Sequence, residues 1–252
     1  MVHKRSFPFK KIAIALASAL FWAGVWALCA LLVDEELFLP TPWAVAEALW
    51  RLIPTAEFWK IVGMSFFRVL QGYLPGVLFG ILGGILTAKV KPLDILFSPM
   101  LTVIRATPVT SFIMLTLAFL GRDTVPGFIV FLMVLPIVWA NVSEGIKTVD
   151  PQLKEVCKVY GLPLSRRMKL LYFPHCLPYF SAGALTALGF AWKAGIAAEV
   201  LCTPKGSIGK MVYDAKVYLE TAELFAWTLV VVLLSLVLEQ ILKQLLKRRG
   251  RK

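Results

Sequence analysis

Apolar residues recur in long runs, at about 12–33, 61–88, 93–120, 126–146, 178–201 and 222–246. Each run reaches the ~20 residues that a helix needs to cross the ~30 Å apolar layer of a bilayer. The runs are continuous rather than alternating, which argues against a transmembrane barrel. In lipid every backbone N–H and C=O must be paired within the protein, so the pattern predicts an all-α polytopic membrane protein with six transmembrane helices.

The interruptions carry the detail. Asp34, Glu35 and Glu36 end the first run. Between 37 and 60, Pro40, Pro42 and Pro54 punctuate a segment in which Trp43, Ala46, Ala48, Leu49 and Trp50 predict a short amphipathic helix at the outer interface. The second run carries Gly72, Gly76, Gly80 and Gly84 at a spacing of four, a smooth ridge suited to close helix packing, with lining of a pathway as the alternative. It is expected to tilt, or to break near Gly72-Tyr73-Leu74-Pro75. Pro99 and Pro108 interrupt the third run, Pro136 lies inside the fourth, and 202–221 reads as an outer loop. Lys4, Arg5, Lys10 and Lys11 precede the first run as in a signal peptide, but the run is too long and no A-x-A site follows it, so an uncleaved first span is expected.

Composition agrees: 59% of residues are hydrophobic, and the mean hydropathy is +0.77. A net charge of +12 invites a nucleic-acid reading. Most of the 27 lysines and arginines, however, fall in the N-terminal tail, at Lys89 and Lys91, between 147 and 169, and beyond 243. That asymmetry places both termini in the cytoplasm and makes anionic lipid, not nucleic acid, the natural partner. The organisation is then a tail and first helix (1–36), one transmembrane domain (37–246) and a basic cytoplasmic tail (247–252). The four cysteines are scattered and predict no disulfide; Cys176 follows His175, but no second cluster completes a metal site, so neither metal nor cofactor is expected.

The segment 147–177 is the most informative. Asp150-Pro151 reads as a helix cap followed by proline at the first helical position. Leu153, Val156, Cys157 and Tyr160 follow at i, i+3, i+4 and i+7, the face of a short amphipathic helix. Gly161 stops it, and Pro163 prevents its continuation. A second short basic helix, about 165–172, is expected to lead to Phe173-Pro174 and Leu177-Pro178. On the residues alone, a lever for a partner and a plain basic surface loop remain equally open.

Here the chain resembles the permeases of binding-protein-dependent ABC importers, whose cytoplasmic motif has the form E-A-A-x3-G-x9-I-x-L-P. Glu155 takes the first position and Gly161 the glycine; Leu171, Phe173 and Pro174 end the motif without gaps, while Val156 and Cys157 replace the two alanines. Ser65-Phe66-Phe67-Arg68, Arg105-Ala106-Thr107-Pro108 and Ala191-Trp192-Lys193-Ala194-Gly195 are similar to the nitrate, sulfonate and taurine branch, with the likeness covering about 37–246. The resemblance implies a type I importer fold in the inner membrane. It implies that Glu155 to Tyr160 meet a cytoplasmic ATPase, with Gly161 allowing the bend. It also implies two ATPase copies, an extracytoplasmic solute-binding protein and a second permease copy, most simply a homodimer.

The chain holds no P-loop: Gly206-Ser207-Ile208-Gly209-Lys210-Met211 has the wrong spacing and lacks the hydroxyl, so ATP hydrolysis is expected in a separate subunit rather than here. Charges inside spans mark pathways by default. Arg105 and Lys193 are the pathway candidates, with Asn141 and Glu199 beside them; Lys193 could instead pair with Glu199 or Glu144, Asn141 could bridge helices, and Arg68 is read as an anchor at the outer end of its span. The alternative, an ion-gradient-driven secondary transporter, predicts internal repeats and acidic ligands at mid-span. An intramembrane enzyme needs an H-E-x-x-H pair or similar, and the chain has only His3 and His175.

Overall fold

The computed structural model describes residues 8–249. His3, Lys4, Arg5 and the end of the basic tail (250–252) lie outside them, as do the side chains of Lys10, Lys11 and 247–249. Regular structure among the described residues is helical: α1 (Pro8–Val33), α2 (Pro42–Leu52), α3 (Ala56–Lys89), α4 (Lys91–Ala106), α5 (Val109–Leu117), α6 (Val125–Lys147), α7 (Pro151–Val159), α8 (Leu164–Arg167), α9 (Phe173–Cys202), α10 (Ile208–Val217) and α11 (Thr221–Arg249), with a π-helical turn, Met168–Tyr172, joining α8 to α9. Contacts group the chain into two units, Met1–Trp59 with Met211–Val230, and Lys60–Lys210 with Val231–Lys252.

In the first unit, α2 starts at Thr41, whose hydroxyl accepts from the Ala44 N–H at 3.2 Å, with Pro42 at the position where a missing N–H costs nothing. Val45 and Ala48 are buried with Ala226, while Trp43 and Trp50 stay exposed, as an interfacial helix requires. The Trp26 indole donates to the Pro40 carbonyl at 3.1 Å, and its ring stacks on Phe225.

The second unit is built on three long helices. Gly72, Gly76, Gly80 and Gly84 of α3 face Val130, Val134, Val138 and Val142 of α6 in the same order, so these two helices run parallel. A Cβ at Gly76 would lie 2.8 Å from Val134, and one at Gly72 would lie 2.1 Å from the Gly127 carbonyl oxygen. The branched valines enter the channel left by the absent side chains, and the Trp139 indole adds a hydrogen bond to the Thr87 hydroxyl at 2.9 Å. In the opposite order, Gly145 meets Tyr179, Gly183 meets Asn141 and Gly195 meets Val130, so α9 runs antiparallel to α6. Tyr73 ties α3 to α9 by donating to the Ala184 carbonyl at 2.9 Å.

Parallel neighbours need a connection that travels back along their length. Asp94 bonds Lys147 at one end of the unit, and Asp123 approaches Arg68 at the other, so the chain between them makes that journey. It does so as a broken helix: α4 and α5 are bent by 98° at Thr107-Pro108. Among the described residues five helices are long and apolar enough to cross a membrane, and there are six if the bent pair is one span.

The breaks differ from the expectation in two places, at Pro99 and at the start of the fifth span. Pro108 does interrupt the third run, holding Thr107 in extended backbone (φ −78°, ψ 130°), but Pro99 is absorbed inside α4. Pro75 does not break α3, which is helical over all 34 residues; a packed membrane helix tolerates the lost donor. Nor do Pro174 and Pro178 separate a short basic helix from the fifth span. The Phe173 N–H reaches back five residues to the Met168 carbonyl, a π-type bond placed just before Pro174, which has no N–H to give. The helix therefore runs on from α8 into α9. The expected outer loop also contains α10, which the pattern of hydrophobic residues does not announce.

Candidate functional site

The segment after α6 folds as a capped, one-sided helix. The Asp150 carboxylate accepts from the Gln152 N–H at 2.8 Å, and Pro151 opens α7. At its other end the Leu162 N–H bonds the Cys157 carbonyl and the Gly161 N–H bonds the Lys158 carbonyl, both at 3.0 Å. That is the Schellman closure, and it requires the left-handed conformation that Gly161 adopts at φ +61°. Arg167 then holds the exit by donating to the Leu162 carbonyl at 2.7 Å.

Only one side of α7 is satisfied. Cys157 is buried against Val149 and Leu171. Leu153 and Val156, assigned with it to one apolar face, are half exposed; Tyr160 is 77% exposed and Val159 84%. Glu155 is exposed as well, and Pro174 lies in the first turn of α9. The sequence pattern missed Val159 because it falls outside the i, i+3, i+4, i+7 stripe. The result is an apolar strip on a short helix held at the Lys147 end of the unit.

At the Arg68 end the arrangement is the reverse. Glu199, 1% exposed, accepts from the Ser65 hydroxyl at 2.8 Å and from the Gly209 N–H at 3.2 Å, while Arg68 lies 3.4 Å from its other oxygen. Ser65 accepts in turn from the Ile208 N–H at 2.9 Å, and Ser207 accepts from the Lys210 N–H at 3.0 Å. The first N–H groups of α10 are thus capped by three side chains from three places in the sequence. Arg68 also donates to the carbonyls of Lys205 (2.7 Å) and Gly206 (3.3 Å). A Cβ at Gly209 would lie 2.3 Å from Glu199, so the glycine permits the approach. The stretch Gly206–Lys210 that superficially resembles a phosphate loop is therefore a clamp. Both Glu199 oxygens are occupied in this arrangement. The carboxylate is thus unavailable to Lys193.

The remaining intramembrane polar groups separate. Arg105 is exposed in the last turn of α4, two residues before Thr107, and donates to the Pro136 carbonyl at 2.9 Å. Lys193 is exposed on α9 and pairs with neither Glu199 nor Glu144. Asn141 packs on Gly183, but its amide donates to the Ile137 carbonyl of its own helix at 2.8 Å, so it makes no hydrogen-bonded bridge. Among the described residues no three His, Cys, Asp or Glu side chains converge as metal ligands.

Comparison with known proteins places this architecture. Residues 76–251 match the family described as binding-protein-dependent transport system inner membrane component. The chain is 28% identical over 196 residues to the putative aliphatic sulfonates transport permease protein SsuC of Bacillus subtilis, covering 77% of this chain and 70% of that protein. It is 27% identical over 159 residues to the bicarbonate transport system permease protein CmpB of Synechococcus elongatus, where the match spans 63% of this chain and 57% of the relative's length. Among solved structures, an amino acid ABC transporter has the same fold, with a TM-score of 0.59 at 16% identity over 77% of this chain and 92% of that one. The parallel α3–α6 pair, the bent α4–α5 pair and the capped helix after α6 are thus features of a chain that belongs to the binding-protein-dependent transport system inner membrane components, the permease subunits of ABC importers.

Proposed function

We propose that two copies of this chain form the pathway of an importer for a small anion, driven by two copies of a separate ATPase docked on α7 and loaded by a solute-binding protein on the opposite side. The observation that carries this reading is the apolar strip of Leu153, Val156, Val159 and Tyr160 on a helix fixed at both caps. A short helix exposing that much apolar surface at its own end of the unit fits a partner's groove, and it is braced well enough to transmit a push. ATP binding then shifts the bundle between two states through this contact, with Glu155 at its polar edge.

The anion reading draws on Arg105 and Lys193. Both are cationic, exposed in the single chain and placed within the apolar spans. Ala182, Thr186, Phe190, Lys193 and Ala197 share one exposed stripe of α9, a face on which a second copy or a solute can approach. Sulfonate and bicarbonate, named for the relatives, are both small anions. The basic segments orient both termini toward the cytoplasm. The test is co-purification of the tagged chain with candidate ATPases, with and without Val159→Asp. Retention of the ATPase by the native chain and its loss in the variant, at equal membrane yield, is the expected result. Solute uptake that persists without any nucleotide-hydrolysing companion would overturn the reading.

A further inference from the structure

A cavity of about 320 Å³ opens beside the Lys89 end of α3. Ile81, Ile85 and Lys89 line one wall, Val142 and Ile146 a second, and Cys176 the third. Ile81, Ile85 and Lys89 stand at i, i+4 and i+8, so that wall follows the helix axis for two turns, about 12 Å. The groove is apolar along its length and ends in an exposed ammonium. Met168 and Tyr172, the first and last residues of the π-helical turn, close its far side. The wider turn sets this wall, and π-turns recur where a helix is shaped for a ligand.

Charge at the mouth narrows the occupant. Lys89 makes no ion pair among the described residues, and Lys169 is exposed on the π-turn that closes the far side. Asp94, the acidic residue of the first turn of α4, is taken by Lys147 at 2.7 Å. An elongated apolar slot along a membrane helix, capped by unneutralised cations, complements an acyl chain joined to a phosphate.

We infer that this groove is a binding site for one acyl chain of an anionic phospholipid, whose phosphate rests on Lys89. On the orientation proposed above, the lipid comes from the cytoplasmic leaflet. The site lies at the junction of α3, α6 and the π-turn, next to the segment that holds α7, so its occupant packs against the base of that segment.

Cys176 supplies a native reporter, being partly exposed within the groove, whereas Cys157 is buried elsewhere and serves as an internal reference. The purified chain is placed in nanodiscs of phosphatidylcholine, with or without phosphatidylglycerol, and alkylation of each cysteine by a membrane-permeant maleimide is followed by peptide mass mapping. The expected result is a several-fold slowing at Cys176 with phosphatidylglycerol, abolished by Lys89→Glu and retained in Lys91→Glu. Equal rates in both lipids overturn the inference. So does loss of protection in Lys91→Glu as well, which marks diffuse surface charge instead of a site. Protection that tracks self-association and ignores lipid class overturns it too, in favour of a second copy covering the groove. None of these readouts involves transport, so they stand or fall separately from the importer assignment.

Discussion

Around Glu199, burial is nearly complete and hydrogen bonding is saturated: three side chains cap α10, and Arg68 holds both the carboxylate and two loop carbonyls. Around α7, backbone capping is equally complete, yet the apolar side chains are left in the open. Both regions spend polar groups on fixing a short helix. At the Arg68 end the fixing groups are turned inward on one another, while at the Lys147 end the fixed helix is presented outward. A rigid element with unsatisfied apolar surface is what a partner needs, and a rigid element with none is what a stable rim needs. Disrupting each region should therefore give different kinds of failure.

The largest effect is expected in the clamp. Arg68→Leu leaves Glu199 buried without its cation, a change that costs about 3–5 kcal/mol when one partner of a buried pair is removed. Thermal unfolding of the detergent-solubilised chain should shift strongly downward and membrane yield should fall. Arg68→Met with Glu199→Met should recover part of the loss, because no stranded charge remains. Equal stability of the single and double variants breaks the view of this site as a coupled pair.

Next in size is the glycine ridge. Gly76→Ala puts a methyl group 2.8 Å from Val134, so α3 and α6 must separate. Overpacking of this kind costs about 1–3 kcal/mol. Val134→Ala on top of it should restore part of the stability, whereas Val134→Ala in the native background should lower it. An additive pair would show that the ridge does not carry the contact.

Gly161→Ala comes third. Its backbone lies at φ +61° and no atom would meet the new Cβ, so the penalty is conformational alone, about 1 kcal/mol. Gly161→Asn should cost less, since asparagine tolerates this region. Global unfolding should barely move in either variant, while ATP-coupled uptake falls in the order glycine, asparagine, alanine. A steep loss of membrane yield would place Gly161 with the clamp and erase the contrast between the two regions.

The helices themselves were readable because lipid imposes one rule on every backbone group, and long apolar runs have few other ways to obey it. The capping of α7 was readable too: Asp150, Pro151 and Gly161 act within a few residues of their own positions. The clamp was not. Ser65, Arg68, Glu199 and Ser207 each bear an ordinary local reading, and only tertiary approach brings them to one helix start. Nor does local sequence say which proline breaks a helix: Pro75, Pro99 and Pro178 remain inside helices, whereas Pro108 breaks its helix where the chain turns through 98°. Of the i, i+3, i+4, i+7 stripe Cys157 alone packs on the protein's own core, and Val159 was overlooked because it falls outside that stripe.

That last residue gives the smallest stability effect and the sharpest test of the comparison. Val159 is 84% exposed, so Val159→Ser removes almost no buried surface and should leave unfolding within about 0.5 kcal/mol of the native chain. If the strip on α7 is a docking surface, the same substitution should still weaken capture of the ATPase measurably, and Val159→Asp should weaken it more. Cys157→Ser should do the opposite: it disturbs the small core with Val149 and Leu171 and lowers stability before it touches docking. Two neighbours on one helix turn, two residues apart, then separate the inward from the outward use of α7. Matching losses of stability and capture in both variants would mean that the helix has only one role, that of a surface loop holding itself together.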